Sequence, residues 1–156
     1  MRRKASLLFL LFLGTAIVVT GTKAAPEADA AKKEIQTLIE AAYINGAYNA
    51  LDTKAMREGF HPSFAIHGVR DGALSKYPID EWIKGIEKRK TAPDFDPAKE
   101  KWEHRFVFID VTGDAAVAKV ELSKGGKHVF TDYLSLLKLA DGWKITDKVY
   151  YRHPES

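Results

Sequence analysis

Alternating apolar and polar residues near the C-terminus predict a β-hairpin. The stretch 130–151 reads FTDYLSLLKLADGWKITDKVYY, with Asp141-Gly142 between two alternating runs. Such a pair is a strong hairpin signal, because both central positions of a type I′ turn need positive φ. The period of two places five residues on one face of the second strand, which are Trp143, Ile145, Asp147, Val149 and Tyr151. A single carboxylate therefore interrupts an otherwise apolar face.

The same alternation extends back along the chain and predicts a four-stranded sheet. The predicted strands cover residues 101–111, 115–123, 127–139 and 143–151. Because the turns between consecutive strands are short, the strands should form an antiparallel meander.

The N-terminal half carries the 3.6-residue period of amphipathic helices. Three helices are predicted, over residues 32–48, 53–60 and 78–90. Two short strands, 63–69 and 73–77, are predicted between the second and third helices. Helices that precede an antiparallel meander and cover one of its faces indicate the α+β class.

The first 24 residues have the pattern of a secretory signal peptide. Three basic residues at 2–4 precede a mostly apolar run over 5–20, and small residues stand at −3 and −1 of a cleavage site after Ala24. An uncleaved anchor is an open alternative, because the uncharged stretch 5–22 approaches the length that spans a bilayer. We expect cleavage, followed by a flexible lead-in over 25–32 and one domain over 33–152. The protein would then be exported, periplasmic or secreted, with no stable membrane insertion.

Processing also changes the charge of the chain. Four of the 24 basic residues lie in the leader and none of the 21 acidic residues does, so the net charge changes from +3 to −1. A nucleic-acid partner is therefore not expected, because such partners select basic surfaces. The chain has no cysteine, which excludes disulfides, thiol chemistry and zinc–cysteine sites.

Several short motifs occur in an order that is similar to a known superfamily. They are AYING at 42–46, FHP at 60–62, DVTGDAA at 110–116, FTDYL at 130–134 and GWKITDK at 142–148. Together they resemble the nuclear transport factor 2-like superfamily, and within it the putative lumazine-binding branch, over residues 33–152. The resemblance implies a cone-shaped fold in which three N-terminal helices pack on a curved antiparallel sheet. It also implies a pocket between helices and sheet and frequent homodimers, but no particular activity, because this fold hosts enzymes, binders and scaffolds.

Charged residues predict which face of each strand is buried. If the charged residues of each strand face solvent, the alternation places four polar residues inward, unless a bulge reverses a strand. These residues are His104, Tyr133, Ser135 and Asp147. A buried carboxylate needs a partner, so Asp147 and His104 could form a general acid–base pair, or a structural pair that fixes the sheet register. The predicted ligand-binding residues are Tyr43, His61, Trp82 and Tyr133.

No metal or cofactor is predicted. The histidines lack the spacing of a helical metal site, and phosphate-loop, dinucleotide and nucleophile-elbow motifs do not occur.

The outward face of the predicted sheet is rich in apolar residues. They are Val107, Ile109, Val117, Phe130, Leu134 and Leu136. A cluster of this kind exceeds what a soluble monomer usually exposes, which predicts a homodimer through this face.

Three functional hypotheses follow. The first is an exported domain that binds a small, partly apolar molecule in the pocket. The second is an enzyme of the isomerase, dehydratase or cyclase kind that uses Asp147 with His104 or His61. The third is a homodimeric protein-interaction module whose own side chains fill the cavity, so that cavity volume distinguishes it from the other two.

Overall fold

The structure is a computed structural model that describes residues 24–99 and 101–154. The predicted signal peptide lies outside the described residues up to position 23, as does the uncharged stretch of the anchor alternative. Among the described residues, no helix is long and apolar enough to cross a membrane.

Three α-helices and a π-helical segment form the helical layer of the described chain. Helix α1, Ala24–Leu38, continues directly into the π-helical segment, Ile39–Asn49. Helix α2 spans Thr53–Gly59 and helix α3 spans Ile79–Lys90. Helix α1 therefore begins eight residues before the predicted start at 32, and includes the predicted lead-in 25–32.

Local sequence signals explain where helix α2 starts and stops. The side chain of Asp52 accepts hydrogen bonds from the backbone N–H groups of Lys54 and Ala55, both at 3.1 Å. These bonds satisfy two of the donors that a helix start leaves unpaired. Phe60 has extended backbone angles, as expected shortly before Pro62.

Six strands form one mixed sheet. They are β1 Ala65–Arg70, β2 Ala73–Pro78, β3 Trp102–Thr112, β4 Ala115–Lys124, β5 Lys127–Leu139 and β6 Gly142–Arg152. The strand order is β2-β1-β6-β5-β4-β3. The meander β3 to β6 and the hairpin β1–β2 are antiparallel, as predicted, but β1 pairs with β6 in parallel. An entirely antiparallel sheet was therefore a wrong prediction, although the α+β class is confirmed.

The core lies between the helical layer and one face of β4, β5 and β6. Its largest fully buried side chains include Tyr43, Phe64, Leu122, Leu134, Leu136 and Ile145. Burial of these apolar groups is the main stabilising contribution that a chain without disulfides has available.

A bulge in β6 reverses the predicted orientation of Asp147. Ser135 pairs with Asp147 and Leu136 pairs with Ile145, so Thr146 is an extra residue on β6. An inserted residue moves all following side chains to the opposite face. Ile145 therefore points into the core as predicted, but beyond the bulge Lys148 points inward and Asp147 outward.

The orientation of β5 also differs from the prediction. Leu134 and Leu136 belong to the core, whereas Tyr133, predicted to face inward, is 38% exposed. The predicted face depended on Lys138, which lies near the open end of the strand where both faces are accessible to solvent.

The outer face of the sheet remains apolar, although four of the six residues predicted there contribute to the core instead. Phe130, Leu134 and Leu136 contribute to the core instead, and a bulge at Val107 turns Ile109 inward and Phe108 outward. The exposed apolar residues there are Phe108, Tyr133, Leu137, Val149 and Tyr151, between 38% and 57% exposed. We call these five residues the outer apolar patch.

Candidate functional site

A cavity of about 540 Å³ lies between the inner face of the sheet and the helical layer. The hairpin β1–β2, the π-helical segment, helix α3 and strands β5 and β6 all contribute to its wall. Five aromatic residues line it, which are Tyr48, Tyr77, Trp82, Phe130 and Tyr150. Four basic residues also line it, which are Arg70, Lys76, Lys148 and Arg152. A groove of similar volume, between α1 and the β3–β4 turn, has no buried charged residue in its lining.

A buried ion pair lies at the inner end of the cavity. Lys148 is 3% exposed and Asp132 is 0% exposed, and Lys148 Nζ is 3.0 Å from Asp132 Oδ1. The separation is that of an ion pair, although no described donor approaches Oδ1 in hydrogen-bond geometry. Lys148 lines the cavity while Asp132 lies behind it, so the ammonium is the member of the pair that a ligand could reach.

Two tyrosines complete this buried network. Tyr43 Oη accepts a hydrogen bond from Lys148 Nζ and donates one to Asp132 Oδ2, each at 2.5 Å. Tyr48 Oη lies 3.2 Å from Tyr43 Oη. Because the Tyr43 proton is directed to Asp132, Tyr48 acts as the donor between the two phenols. The four side chains form a continuous polar network, which we call the Lys148 network.

Aromatic rings surround the ammonium as well. Lys148 Nζ lies 4.8 Å from the ring centroid of Tyr43, 5.3 Å from that of Tyr150 and 5.8 Å from that of Phe130. A cation at such distances is attracted by the ring quadrupole, particularly where water is excluded. The rings thus supply part of the solvation that the ammonium loses on burial.

The environment keeps Lys148, Tyr43 and Tyr48 protonated. Burial alone would lower the pKa of Lys148, but attraction to the oxygens of Tyr48 and Asp132 outweighs burial, so this pKa is raised. Burial, together with Tyr48 and Asp132, raises the pKa of Tyr43 well above its ordinary value. Burial also raises the pKa of Tyr48, while the charge of Lys148 opposes that shift. At neutral pH, Lys148 is therefore an ammonium that donates hydrogen bonds and lacks the lone pair of a nucleophile.

The parallel pairing of β1 with β6 orders the cavity wall into rows. Ile66 pairs with Lys148, and His67 pairs with Val149. Gly68 then lies beside Tyr150, and a Cβ built on Gly68 would be 2.9 Å from a Tyr150 ring carbon. Glycine at position 68 thus leaves room for the Tyr150 ring against the β1 backbone.

A sequence profile of one family matches most of the chain. The profile of the putative lumazine-binding family matches residues 30–151. This chain belongs to the putative lumazine-binding family. The resemblance to this branch of the nuclear transport factor 2-like superfamily is therefore confirmed.

Solved structures of similar fold include three nuclear transport factor 2-like proteins of unknown function. The protein from Shewanella baltica OS155 is 29% identical, with a TM-score of 0.61 over 79% of this chain and 96% of that one. The protein from Methylobacillus flagellatus KT is 26% identical, with a TM-score of 0.57 over 78% and 94%. The protein from Silicibacter pomeroyi DSS-3 is 24% identical, with a TM-score of 0.60 over 76% and 92%, and supports the fold alone.

One characterised relative carries an enzyme name. Aldolase FrzH from a Cladobotryum species is 25% identical over 103 residues, which is 65% of this chain and 77% of that protein.

The predicted pair of Asp147 and His104 does not form in this member of the lumazine-binding family. Asp147 lies on the outer face with His67, whose Nδ1 is 3.2 Å away. His104 is on β3, separated from β6 by two strands, and its Nε2 lies 3.7 Å from Glu40 Oε1. The predicted pairing is therefore wrong, because the bulge at Thr146 reverses the face of Asp147.

The four predicted ligand-binding residues separate into two groups. Trp82 lines the cavity, and Tyr43 lies directly behind it in the Lys148 network. His61 instead contacts Ser63, with 2.6 Å between Nδ1 and Oγ, and does not line the cavity. Tyr133 belongs to the outer apolar patch, where Lys119 Nζ lies 5.6 Å from its ring centroid.

Sequence reasoning missed Lys148, Asp132 and Tyr48. Asp132 stands within the motif at 130–134, but lysine usually marks a solvent-facing position, and position 148 was assigned outward on that basis. A signal was available in part, because Asp132 and Leu134 share a face whenever Leu134 is buried.

The described residues offer no evident metal site. Within 24–99 and 101–154, no group of three or more His, Cys, Asp or Glu residues could hold a metal ion.

Proposed function

We propose that this protein binds a small, planar, partly apolar molecule in the cavity, with a polar acceptor of the ligand on the Lys148 ammonium. The observation that carries the proposal is the position of Lys148, a buried cation exposed only toward an aromatic-walled cavity. Concave sites with apolar walls and a few convergent polar groups are typical of small-molecule binding.

The aromatic residues of the wall favour a flat ligand. Trp82 and Tyr48 approach from the helical side, while Phe130 and Tyr150 approach from the sheet. Ring faces and edges on both sides suit a conjugated ring system, because aromatic groups gain from offset or edge-to-face contact. The family name also supports a ligand of this kind, since lumazine is a fused two-ring compound.

Cavity volume disfavours the hypothesis of a purely structural interaction module. A cavity filled by the protein's own side chains would leave no space of about 540 Å³. That volume lies within the range of about 300–1,000 Å³ that is usual for ligand sites.

A substitution that fills the cavity tests the proposal. Ser75 lines the cavity on β2, whereas the neighbouring Leu74 is 79% exposed. Saturation-transfer NMR with a panel of planar two-ring compounds, including lumazine, should detect binding to the wild type and to Leu74→Phe but not to Ser75→Phe. Equal binding by Ser75→Phe would place the ligand outside this cavity and contradict the proposal.

Catalysis on a carbonyl compound is the second candidate function. The Lys148 ammonium, kept protonated by its raised pKa, could donate a hydrogen bond to a carbonyl oxygen and so stabilise the enolate that forms when solvent hydroxide removes a proton from the adjacent carbon. The relative named aldolase FrzH supports this candidate, which keeps the isomerase, dehydratase or cyclase hypothesis with Lys148 in place of Asp147 and His104. Its test is deuterium exchange beside the carbonyl of cyclic ketones in D₂O. Catalysis is supported if the wild type accelerates exchange above the rate in buffer alone and Ser75→Phe does not. Exchange at the rate of buffer alone would reject catalysis.

We also propose that the protein is a homodimer through the outer apolar patch. Five large side chains that are 38% to 57% exposed on one sheet face form a surface that a second copy could cover. Export after cleavage near Ala24 remains a proposal based on the leader sequence. The intact mass of the protein from its native host tests it, because cleavage removes the first 24 residues.

A further inference from the structure

We propose that the ligand carries an anionic group, a carboxylate or a phosphate, which Arg70 and Arg152 bind at the outer end of the cavity. This inference rests on the proposed function and adds the charge and polarity of the ligand. It assigns to the molecule a planar body with an uncharged acceptor at one end and the anion at the other.

The two parallel strands β1 and β6 bring Arg70 and Arg152 to the same end of the cavity wall. Ile66 pairs with Lys148 and His67 with Val149 on the parallel strands β1 and β6. Arg70 and Arg152 are the last residues of these two strands, each three residues beyond the last of these pairs, and both line the cavity. Neighbouring strands are about 4.8 Å apart, so the two long side chains can reach the same small group.

Three rows thus follow one another from the inner end of the cavity outward. The inner row contains Lys148, the middle row contains Tyr150 beside Gly68, and the outer row contains Arg70 and Arg152. The four residue-to-residue steps of extended strand from Lys148 to Arg152 span about 13 Å. This length suits two fused rings with a polar group at each end, lying along the Tyr150 ring.

The charged groups that line the two ends of the cavity differ. Asp132 balances Lys148 at the inner end, so that end offers a hydrogen-bond donor with little net charge. At the outer end, the sheet contributes Arg70 and Arg152, and the acidic lining residue is Glu81 on helix α3. Guanidinium groups that line the same end of a cavity repel each other, and an anion between them is attracted by both. Planar guanidinium forks match carboxylate and phosphate oxygens in paired hydrogen bonds.

Isothermal titration calorimetry with matched probes tests the inference on the protein as isolated from its host. The probes are 6-hydroxy-2-naphthoate, its neutral amide 6-hydroxy-2-naphthamide, and 6-hydroxy-2-naphthyl phosphate. The wild type should bind the naphthoate at least about tenfold more tightly than the amide, as one charge-assisted hydrogen bond would produce. Comparison of the naphthoate with the phosphate then distinguishes the two kinds of anion.

Substitutions at the outer end should remove this preference. Arg70→Gln and Arg152→Gln are expected to bring the affinity for the naphthoate to within about threefold of the affinity for the amide. Arg105→Gln is the matched control, because Arg105 pairs with Glu121 on the far side of the sheet at 2.6 Å and does not line the cavity. This control should keep the full preference.

The outcomes separate this inference from the function on which it rests. Equal wild-type affinity for the acids and the amide overturns the inference and leaves the proposed cavity in place. A preference that survives Arg70→Gln and Arg152→Gln, or acid binding that survives Ser75→Phe, also overturns it, because the anion then binds elsewhere. Absence of binding by every probe counts against the proposed function and, with it, against the inference.

Discussion

Lys148 Nζ lies 3.0 Å from Asp132 Oδ1, with both side chains removed from solvent. The two residues are on neighbouring strands, and Tyr43 Oη connects Lys148 to the other carboxylate oxygen. In many proteins, the desolvation of two buried charges costs more free energy than their mutual attraction contributes. A pair of this kind at the end of a cavity is therefore better explained by a role in binding than by stability alone.

Breaking this pair should destabilise the fold. Asp132→Asn leaves the Lys148 ammonium buried without its counter-charge, and we expect a loss of about 3–5 kcal/mol in the free energy of unfolding. Lys148→Met should cost a similar amount, while Asp132→Leu combined with Lys148→Met should recover most of it. Urea denaturation of the three variants measures these differences. Single substitutions that cost less than about 1 kcal/mol would show that the two charges are not buried together.

Alkaline pH should weaken the fold through the same network. The pKa of Lys148 is raised in the folded state, so its contribution is fully present below its unfolded value of about 10.4 and is lost as pH rises through the folded pKa. The raised pKa of Tyr43 acts in the same direction, because the folded state favours its neutral form.

Urea denaturation between about pH 8 and pH 12 measures this dependence. Stability of the wild type should fall in the upper part of that range. The stability of the Tyr43→Phe variant should fall less steeply with pH, because this variant lacks one of the groups whose pKa is raised in the folded state. An identical slope for both proteins would exclude Tyr43 as a source of the effect.

The residues first predicted for catalysis should be dispensable for binding. Asp147 faces the outer side of the sheet with His67, and His104 lies beside Glu40, away from the cavity. We expect Asp147→Asn and His104→Ala to leave the affinity for 6-hydroxy-2-naphthoate within about twofold of wild type. Calorimetry on both variants checks this, and a tenfold loss in either one would return that residue to the site.

The outer apolar patch should determine the oligomeric state. Tyr133 and Val149 are paired on adjacent strands at its centre, 38% and 49% exposed. Introducing a charge with Val149→Glu should convert the proposed dimer to a monomer, because an unpaired charge is costly to bury in an interface. Analytical ultracentrifugation at micromolar concentration measures the change. Leu74→Glu, outside the patch, is the control, and a monomeric wild type would contradict the proposal.

The spacing of apolar residues and the local turn and cap residues were sufficient to predict most helices and strands. The hairpin between β5 and β6 forms as expected, but its turn residues are Ala140 and Asp141, and of the predicted pair only Gly142 has a positive φ. Asp52 caps α2. These features depend on local geometry, which residue type determines directly.

The candidate site was less predictable because it depends on bulges. Nothing in the alternating run around Thr146 marks the extra residue, and the identity of every inward group beyond it depends on that residue. Lys148 was consequently assigned to solvent and Asp147 to the interior. The parallel pairing of β1 with β6, which joins Gly68 to Tyr150, is equally absent from local sequence because it connects distant segments.

Native mass spectrometry of the protein purified from its own host tests the central claim most directly. The account predicts a small molecule retained by the wild type and by Leu74→Phe, and absent from Ser75→Phe, because the new ring occupies the cavity. Retention of the same molecule by Ser75→Phe at the wild-type level would contradict the account, since the ligand would then lie outside the cavity that Lys148 lines.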